Sequence, residues 1–184
     1  MNLDALIDTL PSYARDLKLN YSTLVRNNSE LTEQQLWGTV VASAIATRSA
    51  ALTAAVLEAA AGRLSAQALE AAQSAAAVMS MNNVFYRFHH LSENEKYATM
   101  PARLRMNALR GHGVHDIDFE LWSLAVSAVN GCGRCIEAHE DVLLKAGMSK
   151  EAIQDAIRIA AIVFSVSVTL EDPAIADEAL KAAA

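Results

Sequence analysis

The chain has 184 residues, of which 53% are hydrophobic, 20% charged and only 5% aromatic, with 7 glycines and 3 prolines. That apolar share excludes intrinsic disorder, and so few turn residues leave little punctuation for a many-stranded sheet. The net charge of −6 lacks the basic footprint of a nucleic-acid binder.

From Leu3 to Arg26 the apolar residues recur three and four apart: Leu3, Leu6, Ile7 and Leu10, then Tyr13, Leu17, Tyr21 and Leu24. This spacing predicts a short helix and a longer one on either side of Pro11. Thr32-Glu33-Gln34-Gln35 has the pattern of a capping box, opening a helix through Leu36, Trp37, Val40, Val41, Ala44 and Ile45 to about Arg48. Ser49 is the expected cap of a helix stopped by Gly62, and Ser65 that of the alanine-rich stretch through Met81. Between His89 and Pro101 the periodicity weakens, which predicts a loop with short helical pieces. Asp116 or Asp118 is then expected to cap a helix through Phe119, Leu121, Trp122, Ala125, Val126 and Val129. Asn130-Gly131 breaks it, Cys132 to Ala146 resumes, and Gly147 ends that segment. Ser149 opens a long helix to Leu170, and Pro173 is expected to start a last one. The expected fold is all-α. Alanine, the best helix former, lets such backbones approach closely.

The start of the chain carries acid, Asp4 and Asp8, where a signal peptide carries base. The longest apolar stretch, Ile159 to Leu170, is interrupted by Ser165, Ser167 and Thr169 and falls short of the roughly 18–20 residues of a membrane span. A soluble, cytoplasmic protein is expected, with neither membrane nor nucleic acid as a partner.

The sequence also suggests an internal repeat within a single domain spanning 1–184. Leu36-Trp37 reappears as Leu121-Trp122, Ala42-Ser43-Ala44-Ile45 as Val126-Ser127-Ala128-Val129, and Leu64 to Leu69 as Met148 to Ile153. The halves, about 32–87 and 116–170, would each supply a helical hairpin and a long buried helix. They differ where chemistry is concerned. The second half has Gly131-Cys132-Gly133-Arg134-Cys135 where the first has Ala46-Thr47-Arg48-Ser49-Ala50.

Both cysteines of the chain lie in that motif, which is followed by His139 and preceded by Glu120. On a helix, Cys132, Cys135 and His139 share one face. The break at Asn130-Gly131 places Cys132 at a helix start, where free N–H groups and the dipole favour a thiolate, and Arg134 adds positive charge. Two thiols at this spacing can form a dithiol/disulfide couple. His139 is the candidate proton carrier, with Glu120 to set its tautomer and hold its charge. Other readings of the same residues are half of a zinc site (Cys132, Cys135, His139, Glu120), two inert core cysteines, and, for Glu120, an acid answering the helix dipole. His89, His90, His112 and His115 are expected in loops, Trp37 and Trp122 in the core, and Met79 in plain packing. Asn82-Asn83-Val84-Phe85-Tyr86-Arg87 reads either as capping or as a hydrogen-bonding segment near the site.

With these residues in hand, the sequence resembles the alkylhydroperoxidase D family, within the carboxymuconolactone decarboxylase-like superfamily. The resemblance covers nearly the whole chain, through Glu33 to Thr39, Met81 to Arg87, Leu104 to Asn107 and Phe119 to Ser123. It is most specific from Ala125 to Cys132, with Cys135 and Ala138-His139-Glu140. The resemblance implies an all-helical homotrimer that reduces alkyl hydroperoxides through its Cys pair, with no bound cofactor or metal. It implies dihydrolipoyl groups on the lipoylated acyltransferase of 2-oxoacid dehydrogenases as reductant, and a peroxiredoxin of the alkyl hydroperoxide reductase system as electron acceptor. Residue by residue, Cys135 matches the sulfenic-acid-forming nucleophile. Cys132 matches the proton-donating and resolving cysteine, which also forms the mixed disulfide with the peroxiredoxin. Glu120 and His139 match the proton relay. The position argument differs, making Cys132 the more acidic thiol. The chain departs from the family at Arg134, which stands where well-known members carry a second relay histidine. Arg134 cannot shuttle protons near neutral pH, but its charge can stabilise a thiolate. A lactone decarboxylase of the same superfamily is the alternative enzyme, and a zinc-stapled helical interaction module the non-enzymatic alternative.

Overall fold

The computed structural model describes residues 2–92 and 94–172, and among these every regular element is helical. The α-helices are α1 (Leu3–Asp8), α2 (Arg15–Arg26), α3 (Glu33–Thr47), α4 (Ala50–Ala60), α5 (Ala66–Leu91), α6 (Asp116–Val129), α7 (Gly133–Lys145) and α8 (Lys150–Leu170). Short 3₁₀ turns at Ser12–Ala14, Glu95–Thr99 and Asn107–Leu109 join them. The expected helix at Pro173 lies outside the described residues.

Most starts are set by local chemistry. Thr32 Oγ1 accepts from the Gln35 N–H, and the Gln35 side chain accepts from the Thr32 N–H, so the capping box at α3 is complete. The Ser65 and Ser149 hydroxyls accept from Ala68 and Ala152, three residues on, at the starts of α5 and α8. Ser49 stands at the N-cap of α4 without a side-chain bond. The expected cap of α6 is corrected. Neither Asp116 nor Asp118 serves; His115 does, its Nδ1 accepting from the Ile117 N–H at 3.2 Å. Asp118 is instead buried and accepts from Gln34 Nε2 at 2.7 Å and Gln35 Nε2 at 2.9 Å, which joins the starts of α3 and α6.

Two further expectations change. Helix α5 continues past the Asn82–Arg87 segment to Leu91, taking His89 and His90 into its last turn rather than a loop. Rings pack on one another there, Phe85 against His89 and Phe88 against Tyr97. The ring of His112 stacks on Phe119 with centroids 4.2 Å apart. Helix α8, at 21 residues, is long and apolar enough to cross a bilayer by length and composition, contrary to the shorter stretch read from sequence. Its apolar side is committed elsewhere, with Ile159, Val163 and Val166 buried in the core formed with α2, α3 and α6.

The core is closed by small residues. Ala68, Ala71, Ala72, Ala75 and Ala76 bury one face of α5, and Ala42 and Ala44 sit inside α3. Helices α3 and α6 approach closely. A Cβ on Gly38 would overlap Trp122 Cε2, so the fully buried indole takes the space a side chain would need. Trp122 Nε1 donates to the Gln35 carbonyl at 3.2 Å, which locks the ring in place. Replacing Gly38 by Ala is therefore expected to destabilise the fold by about 3 kcal/mol, the upper part of the overpacking range. Urea unfolding checks this; a midpoint equal to that of the parent would show that the indole yields.

Candidate active site

Helix α6 ends on a glycine. Gly131 adopts φ +67°, its N–H donates to the Ala128 carbonyl, and the Cys132 N–H donates to the Ser127 carbonyl. That pair of bonds is a Schellman motif, and it requires the left-handed conformation that glycine reaches without strain. The turn makes Cys132 the N-cap of α7, with its carbonyl accepting from Cys135 and Ile136. Cys132 thus sits just before the helix rather than in its first turn, and Cys135 takes the first-turn position near the positive end of the dipole. The two Sγ atoms are bonded, with Cα atoms 5.3 Å apart. Both side chains are buried, although Gly131, Gly133 and Arg134 around them are exposed.

One turn further along α7, His139 meets α6. Its Nδ1 lies 2.6 Å from Glu120 Oε2, and the two side chains are only 13% and 27% exposed. Glu120 is in the second turn of α6, so its place is explained by this partner rather than by the helix dipole. The other ring nitrogen, Nε2, lies 3.3 Å from Met79 Sδ on α5. Met79 is therefore more than packing. No sequence spacing links residues 79 and 139; only the crossing of α5 and α7 brings them together.

Cys135, Ala138 and His139 form one wall of a cavity of about 210 Å³, with Met79, Asn82 and Tyr86 of α5 opposite. Met106 and Leu109, from the chain segment between α5 and α6, contribute a third side. Arg134 lines the same cavity, its guanidinium 5.8 Å from the centre of the Tyr86 ring. Cys132 stands behind Cys135 and does not line it. A larger cavity, about 420 Å³ beside Trp37 and Arg63, is lined by neither cysteine. Among the described residues no three His, Cys, Asp or Glu side chains converge to hold a metal ion, which leaves the zinc reading without a ligand set there.

Behind the disulfide lies the hydrogen-bonded segment that the sequence left between two readings. Asn83, fully buried, donates through Nδ2 to Ser127 Oγ at 2.9 Å and accepts at Oδ1 from Asn130 Nδ2 at 3.0 Å. Arg87 donates to the Asn130 carbonyl at 2.6 Å. These bonds tie the turn that carries Cys132 to α5. Asn130, which had been read only as part of a helix break, is the hub. Asn83→Leu would leave the buried Ser127 hydroxyl and the partly buried Asn130 amide without this partner, and is expected to destabilise the oxidised protein by about 2 kcal/mol. Denaturant unfolding measures the loss, and an unchanged midpoint would mean the network is replaced by water.

Residues 95–183 match the carboxymuconolactone decarboxylase family. An alkyl hydroperoxide reductase AhpD of Acidobacterium capsulatum is 64% identical over 171 residues, covering 93% of each chain. That of Koribacter versatilis is 63% identical over 93% of this chain and 88% of its own. That of Streptomyces griseus is 51% identical over 97% of this chain and 100% of its own.

Proposed function

The chain belongs to the family of alkyl hydroperoxide reductase AhpD proteins, within the carboxymuconolactone decarboxylase-like group, and on that premise we propose that it reduces alkyl hydroperoxides through the Cys132–Cys135 pair. The observation that carries the reading is the shared cavity. Cys135 and His139 face one mostly apolar space, Cys132 is already bonded behind Cys135, and Glu120 holds the far nitrogen of His139.

In the reduced protein, the Cys135 thiolate attacks the terminal oxygen of the hydroperoxide. The S–O bond forms, the O–O bond breaks, and the departing alkoxide takes a proton to leave as the alcohol. Cys132 then attacks the Cys135 sulfur, expelling water and restoring the disulfide. Position supports Cys135 as the attacking sulfur, since it lines the cavity and Cys132 does not. That position supports the reading that the family resemblance implies over the one drawn from Cys132 at the helix start. Glu120, accepting from His139 Nδ1–H, leaves Nε2 as the nitrogen that moves protons, with Met79 Sδ a soft acceptor for its N–H when charged. Arg134 supplies fixed positive charge to the cavity wall and favours the thiolate. A dihydrolipoyl dithiol of a lipoylated acyltransferase reopens the disulfide, and a peroxiredoxin of the alkyl hydroperoxide reductase system receives electrons through a mixed disulfide at Cys132.

The protein acts in the cytoplasm as a homotrimer. Val84, Phe88 and Leu91 on α5 and Phe164 and Val168 on α8 are at least 45% exposed, an amount of uncovered apolar side chain that assembly would bury. Light scattering at micromolar concentration is expected to give three chains per particle, and a monomer mass would overturn the assignment.

Thiol counting tests the chemistry. Two thiols per chain are expected to disappear on adding tert-butyl hydroperoxide and to return with dihydrolipoamide, the mass falling by two hydrogens with no other adduct. Thiols that persist under peroxide would sink the proposal. Glu120→Gln and His139→Gln are each expected to slow turnover by about 10²–10⁴-fold while keeping the fold, the usual worth of general acid–base help. Parent rates in both variants would reduce the pair to a structural contact.

A further inference from the structure

Adjacent asparagines on α5 have opposite fates. Asn83 points toward α6 and uses both ends of its amide, donating to Ser127 and accepting from Asn130. Asn82, one residue earlier and only 4% exposed, lines the cavity shared by Cys135 and His139, and its Oδ1 has no hydrogen-bond partner. Two other buried side-chain oxygens among the described residues are similarly unpaired, Ser43 Oγ and Ser123 Oγ. Neither of those serines lines this cavity.

A buried amide oxygen without a donor is unfavourable, and leucine would fill similar space with no such penalty. The register of α5 puts Asn82 between Met79 and Tyr86 on the cavity face, three and four residues from each. Apart from the groups already assigned roles, the cavity offers side chains of low polarity: Tyr86, Met106, Leu109 and Ala138. A neutral amide in such a wall suits a ligand that is mostly hydrocarbon and carries one hydroxyl. In the disulfide form the oxygen is sealed from water. The terminal torsion of asparagine is broad and roughly two-fold, so a half-turn exchanges the two ends of the amide and presents the oxygen to the cavity.

We propose that Asn82 is a substrate-orienting residue whose amide oxygen accepts a hydrogen bond from the terminal O–H of an organic hydroperoxide, with the organic group against Met106 and Leu109. The inference rests on the peroxidase reading above and deepens it. The hydrogen bond survives the reaction. When the Cys135 sulfur takes the terminal oxygen, that oxygen keeps its hydrogen and becomes the sulfenic O–H, still within reach of Asn82. The alkoxide leaves from the other side of the broken O–O bond and takes its proton from the relay, not from the amide. When Cys132 displaces the sulfenic oxygen as water, the amide loses its partner and returns to the unpaired state of the disulfide form.

The test is a single-turnover measurement of thiol loss in the fully reduced protein mixed with tert-butyl hydroperoxide, on the parent, Asn82→Leu and Asn82→Ala. Both variants are expected to react about tenfold more slowly, equivalent to about 1.4 kcal/mol, with the shape of the pH profile unchanged because an amide does not titrate. Asn82→Leu is also expected to keep or raise the melting temperature of the oxidised protein. A structural amide would behave in the opposite way. Variants that react at the parent rate would overturn the proposal, and so would slow variants that have lost melting temperature and helicity. A parent protein that does not react with the peroxide would instead refute the peroxidase reading, and this inference would fall with it.

Discussion

The contact between Trp122 and Gly38 governs more of this molecule than its size suggests. The indole lies where any side chain at residue 38 would stand, so α3 and α6 meet at a separation that only glycine permits. Bonds from Gln34 and Gln35 to Asp118 close the same junction at the helix starts. With the start of α6 anchored there, its last turn has a set position, and so does the Gly131 turn that hands the chain to α7. The location of Cys132 is therefore decided some ten residues before the cysteine itself. A rigid junction matters for redox chemistry, because a disulfide one helical turn long tolerates little error in the placement of its two Cα atoms.

The site uses α5 and α6 for different purposes. Helix α6 supplies the rigid frame: the Schellman turn, Ser127 and Asn130 as bonding partners, and the Glu120 carboxylate. Helix α5 supplies both the polar tie behind the sulfurs, through Asn83 and Arg87, and the cavity wall in front of them, through Met79, Asn82 and Tyr86. One helix can do both because neighbouring residues point about 100° apart around its axis. The extension of α5 to Leu91 is what makes this reach possible. A helix stopping at Met81 would have supplied neither Asn83 nor Arg87 to the turn, and no Tyr86 to the cavity.

Much of this was legible in the sequence wherever the information is local. The caps at Thr32, Ser65 and Ser149 and the breaks at Gly131 and Gly147 depend on a side chain reaching its own backbone or on a single positive φ, and both appear where the residues predicted them. The pairing of Cys132 with Cys135 and the alignment of His139 follow from helical spacing. The rest depended on contacts between distant segments. Asp118 looked like a cap because acids at helix starts usually are, yet two glutamines from α3 claimed it and His115 took the cap. Helix α5 takes His89 and His90 where weak periodicity predicted a loop, and rings of the same helix and Tyr97 pack at that end. Met79 could not be connected with His139 by any spacing rule, since the relation is a crossing of helices. The tandem Asn82-Asn83 was conspicuous, but only coordinates separate the satisfied amide from the unsatisfied one.

These distinctions bear on how the cavity manages charge. Its lining sets the Arg134 guanidinium and the neutral Asn82 amide beside the imidazole of His139 and the Cys135 sulfur. In the proposed mechanism the arginine favours the thiolate by its charge while protons pass through one dyad, His139 and Glu120. That mechanism assigns the thiolate to the charge at the cavity wall and the protonation of the leaving alkoxide to a ring held 2.6 Å from its carboxylate. The helix that begins at Gly133 carries both groups, five residues apart, so one rigid element sets the geometry of each toward the same sulfur.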